Sequence, residues 1–280
     1  MNTLIPEKIW RQCTEKCAPL LALWLLSAGL CAQALAHDFW IEPETFRAKP
    51  GVRVPLRVYV GQNFAGDSIP FFPDRFERYV SVGPAGEQAI PGVLGDDPAG
   101  AVTGAVPGLY LLALRTKPDK VSFDTSEEFE RYLHAEGLER NLARHRERHK
   151  PGKIIHETYF RCAKSLLAVG NIRSDATDKA LGLPLELIVE NNPHQLWADR
   201  KLRLRLLYLG KPLEGALVIL SNKAKPLDKL KARTNTNGRV EFSLPRRGIW
   251  LANSVHMIPA PFFSQYDWES LWASLTFELP

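Results

Sequence analysis

The sequence predicts a mainly β protein, built as two antiparallel β-sandwich units with a helical insertion between them. Three observations carry this expectation. Short runs of alternating polar and apolar residues recur through residues 53–118 and again through 154–279, the period of half-buried strands. Gly, Pro, Asp and Asn cluster between these runs, most densely in residues 83–108, and mark turns. Only one later stretch, residues 125–150, changes to an apolar period near 3.6, the mark of an amphipathic helix.

The chain is expected to open with a secretory signal over residues 1–36. Lys8, Arg11 and Lys16 form a basic start, residues 20–32 are apolar, and Ala34-Leu35-Ala36 is an A-x-A cleavage site. Thirteen apolar residues fall short of the ~20 that span a bilayer. Leu30 stands where a lipoprotein needs a small residue before Cys31. Cleavage after Ala36 makes His37 the first residue of the exported chain. Its free α-amine titrates near ~7.7–8.0 and gives up its proton to a metal at little cost. Amine and imidazole on one residue form a two-nitrogen chelate that no interior residue imitates.

Residues 37–118 then read as the first sandwich unit. Segments 53–60, 78–82 and 109–114 are its clearest strands. Residues 119–153 form the insertion. Thr125-x-x-Glu128 is a capping box, and Phe129, Tyr132, Leu133, Leu138 and Leu142 share one face until Pro151-Gly152 ends the helix. Residues 154–280 form the second unit, with strands at 154–169, 185–189, 202–209, 216–221, 239–244, 249–256 and 271–279. Asn237-Gly238 predicts a tight hairpin turn within residues 234–242.

Composition narrows the function. The exported part keeps 33 Lys+Arg against 29 Asp+Glu, a net charge of +4. This mild excess lies in no aromatic-interleaved groove, so nucleic acid is not expected. The densest basic run, residues 144–150, reads as a solvated helix face. Cys13, Cys17 and Cys31 leave with the signal, so Cys162 has no disulfide partner and reads as a buried, inert thiol. A soluble periplasmic protein with no membrane span in its exported part is the expectation.

Gly210-Lys211-Pro212-Leu213-Glu214-Gly215-Ala216 and Thr234-x-x-x-Gly238 give the second unit a likeness to transthyretin-like or Cna-B-like sandwiches, within the wider Ig-like class. The whole exported chain resembles a domain-of-unknown-function family of bacterial periplasmic proteins. The resemblance rests on His37-Asp38-Phe39-Trp40-Ile41-Glu42-Pro43, Arg161-Cys162-Ala163-Lys164, Leu183-Pro184-Leu185-Glu186-Leu187, Gly248-Ile249-Trp250-Leu251, Val255-His256-Met257 and residues 267–277. Members are often described as components of nickel-uptake transporters. The resemblance therefore implies nickel or cobalt handling beside a separate inner-membrane transporter, without fixing the ligands.

A chelating His37 needs a further ligand. His256 is the first candidate, because strand alternation places it near the end of segment 249–256 with a rigid backbone behind it. His156 in His156-Glu157 is the second, with a carboxylate at hand to orient the ring. Asp267 and Glu269 read as solvated strand positions. His145 and His149 share a helix face, but Glu147 is misplaced for the H-E-x-x-H zinc motif and Arg144, Arg146 and Arg148 repel a dication. His134 and His194 read as surface residues.

No G-x-S-x-G elbow or Walker loop is present, and no catalytic residue is expected. The expected function is periplasmic binding of nickel or cobalt for uptake or buffering. Copper is also open, since nitrogen ligands follow the Irving–Williams order. Two other readings stay open: a non-catalytic module that binds protein or polysaccharide, and an N-terminal-His copper oxidase or oxygenase.

Overall fold

The computed structural model describes residues 38–148, 151–172, 176–193 and 200–280. The expected signal segment, His37, His149 and His194 lie outside these residues. The described chain runs through β1 (Asp38–Pro43), β2 (Arg47–Ala48), β3 (Arg53–Gln62), β4 (Ala65–Ile69), β5 (Phe76–Gly83), β6 (Gly86–Ala89), β7 (Ala101–Thr103), β8 (Gly108–Thr116) and β9 (Asp119–Phe123). Two helices follow, α1 (Ser126–Ala135) and α2 (Leu142–Arg148). The chain then returns to strands: β10 (Ile155–Val169), β11 (Leu185–Val189), β12 (Lys201–Tyr208), β13 (Lys211–Pro212), β14 (Leu217–Asn222), β15 (Lys225–Arg233), β16 (Arg239–Ser243), β17 (Gly248–Pro259) and β18 (Trp268–Leu279). The fold is mainly β, and both α-helices among the described residues lie in the expected insertion.

A ten-stranded sheet in the order β15-β14-β17-β18-β10-β8-β5-β6, with β2 and β9 also on β10, forms the middle layer. Adjacent residues of its strands point to opposite faces, and each face is covered. Leu111 and Leu166 pack with Leu187, Leu204 and Leu206 of the β11-β12-β13-β16 sheet. Leu112 and Leu167 pack with Ile41, Leu56 and Val58 of the β1-β3-β4-β7 sheet on the other side. On that second face α1 also packs, setting Phe129, Tyr132 and Leu133 against Val255, Met257, Trp268 and Trp272.

The pairings are antiparallel except β10 with β18 and β10 with β2. The expected boundaries near residues 118 and 154 do not separate two bodies. Strands from both sides of the insertion share the middle sheet, because β10 pairs with β8 and also with β18. Residues Ala36–Pro280 form one compact unit. The expected 234–242 hairpin is also corrected. Gly238 does adopt a positive φ of 71°, but β15 pairs with β14 while β16 pairs with β12. The turn therefore carries the chain from one sheet to another.

His145 departs from the solvated face expected of residues 144–150. It is buried, its Nε2 is 2.8 Å from Ser126 Oγ, and its ring lies 4.7 Å from Phe129. Among the described residues no helix is long and apolar enough to cross a membrane.

Candidate functional site

A polar cavity of about 300 Å³ opens on the second face of the middle sheet, between the β1-β3-β4-β7 sheet and the end of α1. Its floor is a row of neighbouring strands. Ile219 pairs with Lys231 on one side and Asn253 on the other, and alternation adds Leu217, Ser221, Lys229 and Val255. Asp38 and Glu136 enter from the two elements above.

Asp38 is the first residue of β1, opposite Gly61 of β3. It is held there by a hairpin with little steric freedom. A Cβ on Gly61 meets Ala65 O at 2.0 Å, so only glycine fits. Asn63 and Phe64 form the turn with φ of 54° and 59°, as a type I′ turn requires. That conformation is costly for phenylalanine. The Phe64 ring is buried edge-on against Trp40 at 5.7 Å, which offsets the strain. The Asn63 backbone N–H points to the Asp38 carboxylate. Burial pushes the Asp38 carboxyl up to about 6, against the pull of the Lys229 ammonium and that N–H.

Glu136 is the C-cap of α1. Thr125 opens the helix by accepting the Glu128 N–H at 3.2 Å, as the capping box predicts. Gly137, with φ of 70°, ends it, and the Leu138 N–H returns to Leu133 O at 2.7 Å. This left-handed glycine after the cap is the common way to close a helix. It turns Glu136 towards the cavity while Gly137 passes against Leu217, which a Cβ there would meet at 2.6 Å. Burial, reinforced by repulsion from Asp38, raises the Glu136 carboxyl to about 8, with Lys229 and Lys231 opposing.

Of the expected histidines, the two described ones, His256 and His156, make separate local contacts. His256 lies three residues beyond Asn253 on β17 and on the opposite face from Val255, which lines the cavity. Its ring packs edge-on to Tyr208 at 4.5 Å, and its Nδ1 is 3.1 Å from Arg140 Nη2. Arginine only donates, so Nδ1 accepts and the neutral ring carries its proton on Nε2. The single lone pair is engaged. Burial and the Arg140 charge lower the imidazole to about 4, opposing any further positive charge.

His156 is exposed, with Nδ1 2.9 Å from Ser122 Oγ. Ala163 shares a row with Ser274 and Asn253. His156 lies seven residues from Ala163 on β10, roughly 23 Å at ~3.3 Å per residue. His37 itself lies outside the described residues, but it is joined to Asp38, and consecutive Cα atoms are ~3.8 Å apart. Asp38, next in sequence to His37, lines the cavity, while His156 is remote from it.

Asp38 and Glu136 escaped the sequence reading. Asp38 follows the expected N-terminus directly, which is a usable signal. Glu136 shows only as one acidic residue before a helix-ending glycine. Among the described residues no three His, Cys, Asp or Glu groups are placed to hold a metal. Cys162 is buried, with its thiol pushed up to about 11 by burial, which disfavours the thiolate.

A family profile described as a domain of unknown function, DUF4198, matches residues 34–258. No curated protein matches the chain. Among solved structures, a tetra-tandem repeat from the extending region of a large adhesion protein is 11% identical, with 88% of this chain and 50% of that one covered and a TM-score of 0.22. The D0-D1 domain of intimin is 11% identical over 86% of this chain and 97% of its own, with a TM-score of 0.18. Trypsin-activated alpha-2-macroglobulin from Escherichia coli is 12% identical over 89% of this chain and 16% of its own, at 0.21. The chain thus spans half of the first of these proteins and a small part of the third.

Proposed function

The chain belongs to the DUF4198 family, and from that premise and its polar cavity we propose that it is an exported, periplasmic binder of a divalent transition metal, nickel or cobalt first. In this reading signal cleavage leaves His37 as the N-terminus. The α-amine and imidazole of His37 supply two nitrogens, and Asp38 and Glu136 supply oxygens. Mixed nitrogen and oxygen ligands suit nickel, cobalt and copper, and affinity alone favours copper, so nickel or cobalt comes first only through the family resemblance. The protein then buffers the metal or passes it to a separate membrane transporter.

The observation that carries the reading is the position of Asp38. It lines a half-enclosed cavity together with a second desolvated carboxyl, Glu136, one peptide bond from the residue that is expected to become the chelating terminus. Burial raises both carboxyls, Glu136 the further, and a bound cation favours their ionised form.

The test uses the protein starting at His37 and a second protein with one added residue before it. The addition keeps the imidazole but turns the amine into an amide, which holds its proton too tightly to ligate at neutral pH. Calorimetric titration with nickel(II) and copper(II) should show a drop on the order of 10–100-fold or more, comparable to losing a supporting group of a metal site. Equal affinities exclude the amine. No binding to either protein rejects the metal reading.

A further inference from the structure

We infer that the cavity takes a small zwitterion, a free amino acid, whose ammonium group meets Asp38 and Glu136 and whose carboxylate meets Lys229 and Lys231. This goes beyond the metal reading: it rests on described residues alone and requires no metal. A metal ion and a ligand ammonium compete for the same two carboxyls.

The first observation is charge of both signs in one space. Asp38 and Glu136 enter from above, while Lys229 and Lys231 alternate along β15 on the face that floors the cavity. Lys229 acts electrostatically on both carboxyls and Lys231 on Glu136, yet neither lysine forms an ion pair with either carboxyl. A bare cation answers only the carboxyls and a bare anion only the lysines, and each then sits beside like charge. A zwitterion meets both pairs in charge-assisted hydrogen bonds. The two poles are also placed apart. Ala135 and Glu136, at the end of α1, line the cavity, and the partial negative charge of a helix C-terminus favours a cation there. Lys229 and Lys231 are two residues apart, roughly 7 Å along an extended strand, a gap that one carboxylate spans with an oxygen towards each.

The second observation is size. A volume of about 300 Å³ is the lower end of the range for small-molecule sites, which suits a single amino acid better than a bare ion or a long peptide. The third is the rest of the lining. Leu217, Ile219 and Val255 give the floor an apolar strip on which the carbon chain of a ligand can lie. Gln62, Asn63 and Asn253 bring amide groups to the same space, and an amide both donates and accepts, so it can serve either pole or a polar side chain.

The experiment is calorimetric titration of the protein starting at His37, in EDTA, with the common α-amino acids as a panel of probes. The expected result is saturable one-to-one binding of at least one of them. Its N-acetyl derivative, which lacks the ammonium group, and its methyl ester, which lacks the carboxylate, should each bind about tenfold or more weakly, the size of one or two lost charge-assisted bonds. These probes leave the protein unchanged, so misfolding cannot account for the loss. Lys229→Ala with Lys231→Ala, on exposed positions of an edge strand, should weaken the amino acid by a similar factor.

If no amino acid in the panel binds, the inference is overturned, and the metal reading keeps its own test. Equal binding of the N-acetyl derivative shows a plain anion site, and equal binding of the ester shows a plain cation site; either overturns the zwitterion. Binding indifferent to the lysine substitutions places the ligand elsewhere and overturns it as well.

Discussion

His256, the first candidate ligand in the sequence, is engaged by Arg140, whereas Glu136, to which the sequence reading assigned no role, lines the cavity. His256 was legible as a candidate because a histidine at a strand end is conspicuous. Its neighbours were not legible: Arg140 is 116 residues away and occupies the ring nitrogen. Glu136 is conspicuous only once the helix end is seen over the cavity. The expectation is that Glu136→Gln lowers nickel affinity on the order of 10–100-fold, while His256→Ala leaves it within error. Titration calorimetry on the two variants decides, and a large loss at His256 moves the site to the other face of the sheet. Glu157 supplies an independent check on the buried chemistry. It is buried, accepts hydrogen bonds from Tyr132 at 3.1 Å and from Ser270, and its Oε2 has no hydrogen-bond partner among the described residues. Burial raises its carboxyl to about 7, above the 4.5 of a free glutamate, despite those two donors. As pH rises past 4.5 the unfolded chain ionises while the folded carboxyl stays protonated. Stability should therefore fall between pH 4.5 and 7, by about 3 kcal/mol at ~1.36 kcal/mol per unit, and then level off. Glu157→Gln lacks this contribution, so urea titrations should find it more stable than the parent at pH 8 and close to it at pH 4.

At the scale of single elements, α1 was legible and β15 was not. The capping box, the apolar face and the terminating glycine of α1 all agree, and local signals that agree locate a helix well. β15 is missing from the expected strands, and it carries Lys225, Lys229, Lys231 and Arg233 with Asp228. It is the edge of the middle sheet, and lysines on an edge strand deter pairing with other molecules. The same lysines floor the cavity, so the strand that was hardest to see contributes most to its charge. The Asn237-Gly238 turn was recognised, but turn chemistry does not say which sheet the next strand joins. Gly137 links this scale to the site. Gly137→Ala places a Cβ at positive φ and against Leu217, so a loss of about 1–3 kcal/mol is expected. Chemical denaturation measures it. Nickel affinity should fall in the same variant, because Glu136 must shift with the helix end. A variant with full stability and full affinity contradicts the role given to this turn.

For the whole molecule, β character and the position of the helices followed from periodicity, whereas the shared middle sheet did not. Periodicity identifies strands but not partners, and β10 makes its parallel match with β18 across about a hundred residues of chain. What fastens the outer β11–β16 layer to that sheet includes a buried ionic cluster. Lys164 Nζ lies 2.8 Å from Asp178 Oδ1 and 3.1 Å from Glu186 Oε1. Glu186 also accepts the N–H groups of Leu181, Gly182 and Leu183. Removing one member leaves buried charge without its counterpart, so Lys164→Met should cost about 3–5 kcal/mol, read as a lower urea midpoint. An unchanged midpoint means the cluster is not a fastening. The site depends on this frame, since three layers set Asp38 and Glu136 over one floor. The most direct test of the central claim is a crystal of the protein starting at His37, soaked in nickel(II) and measured at the nickel absorption edge. The account predicts one strong anomalous peak in the cavity, within about 2.0–2.2 Å of the His37 nitrogens and of an Asp38 or Glu136 oxygen. A peak at His256 or His156 with the cavity empty contradicts it.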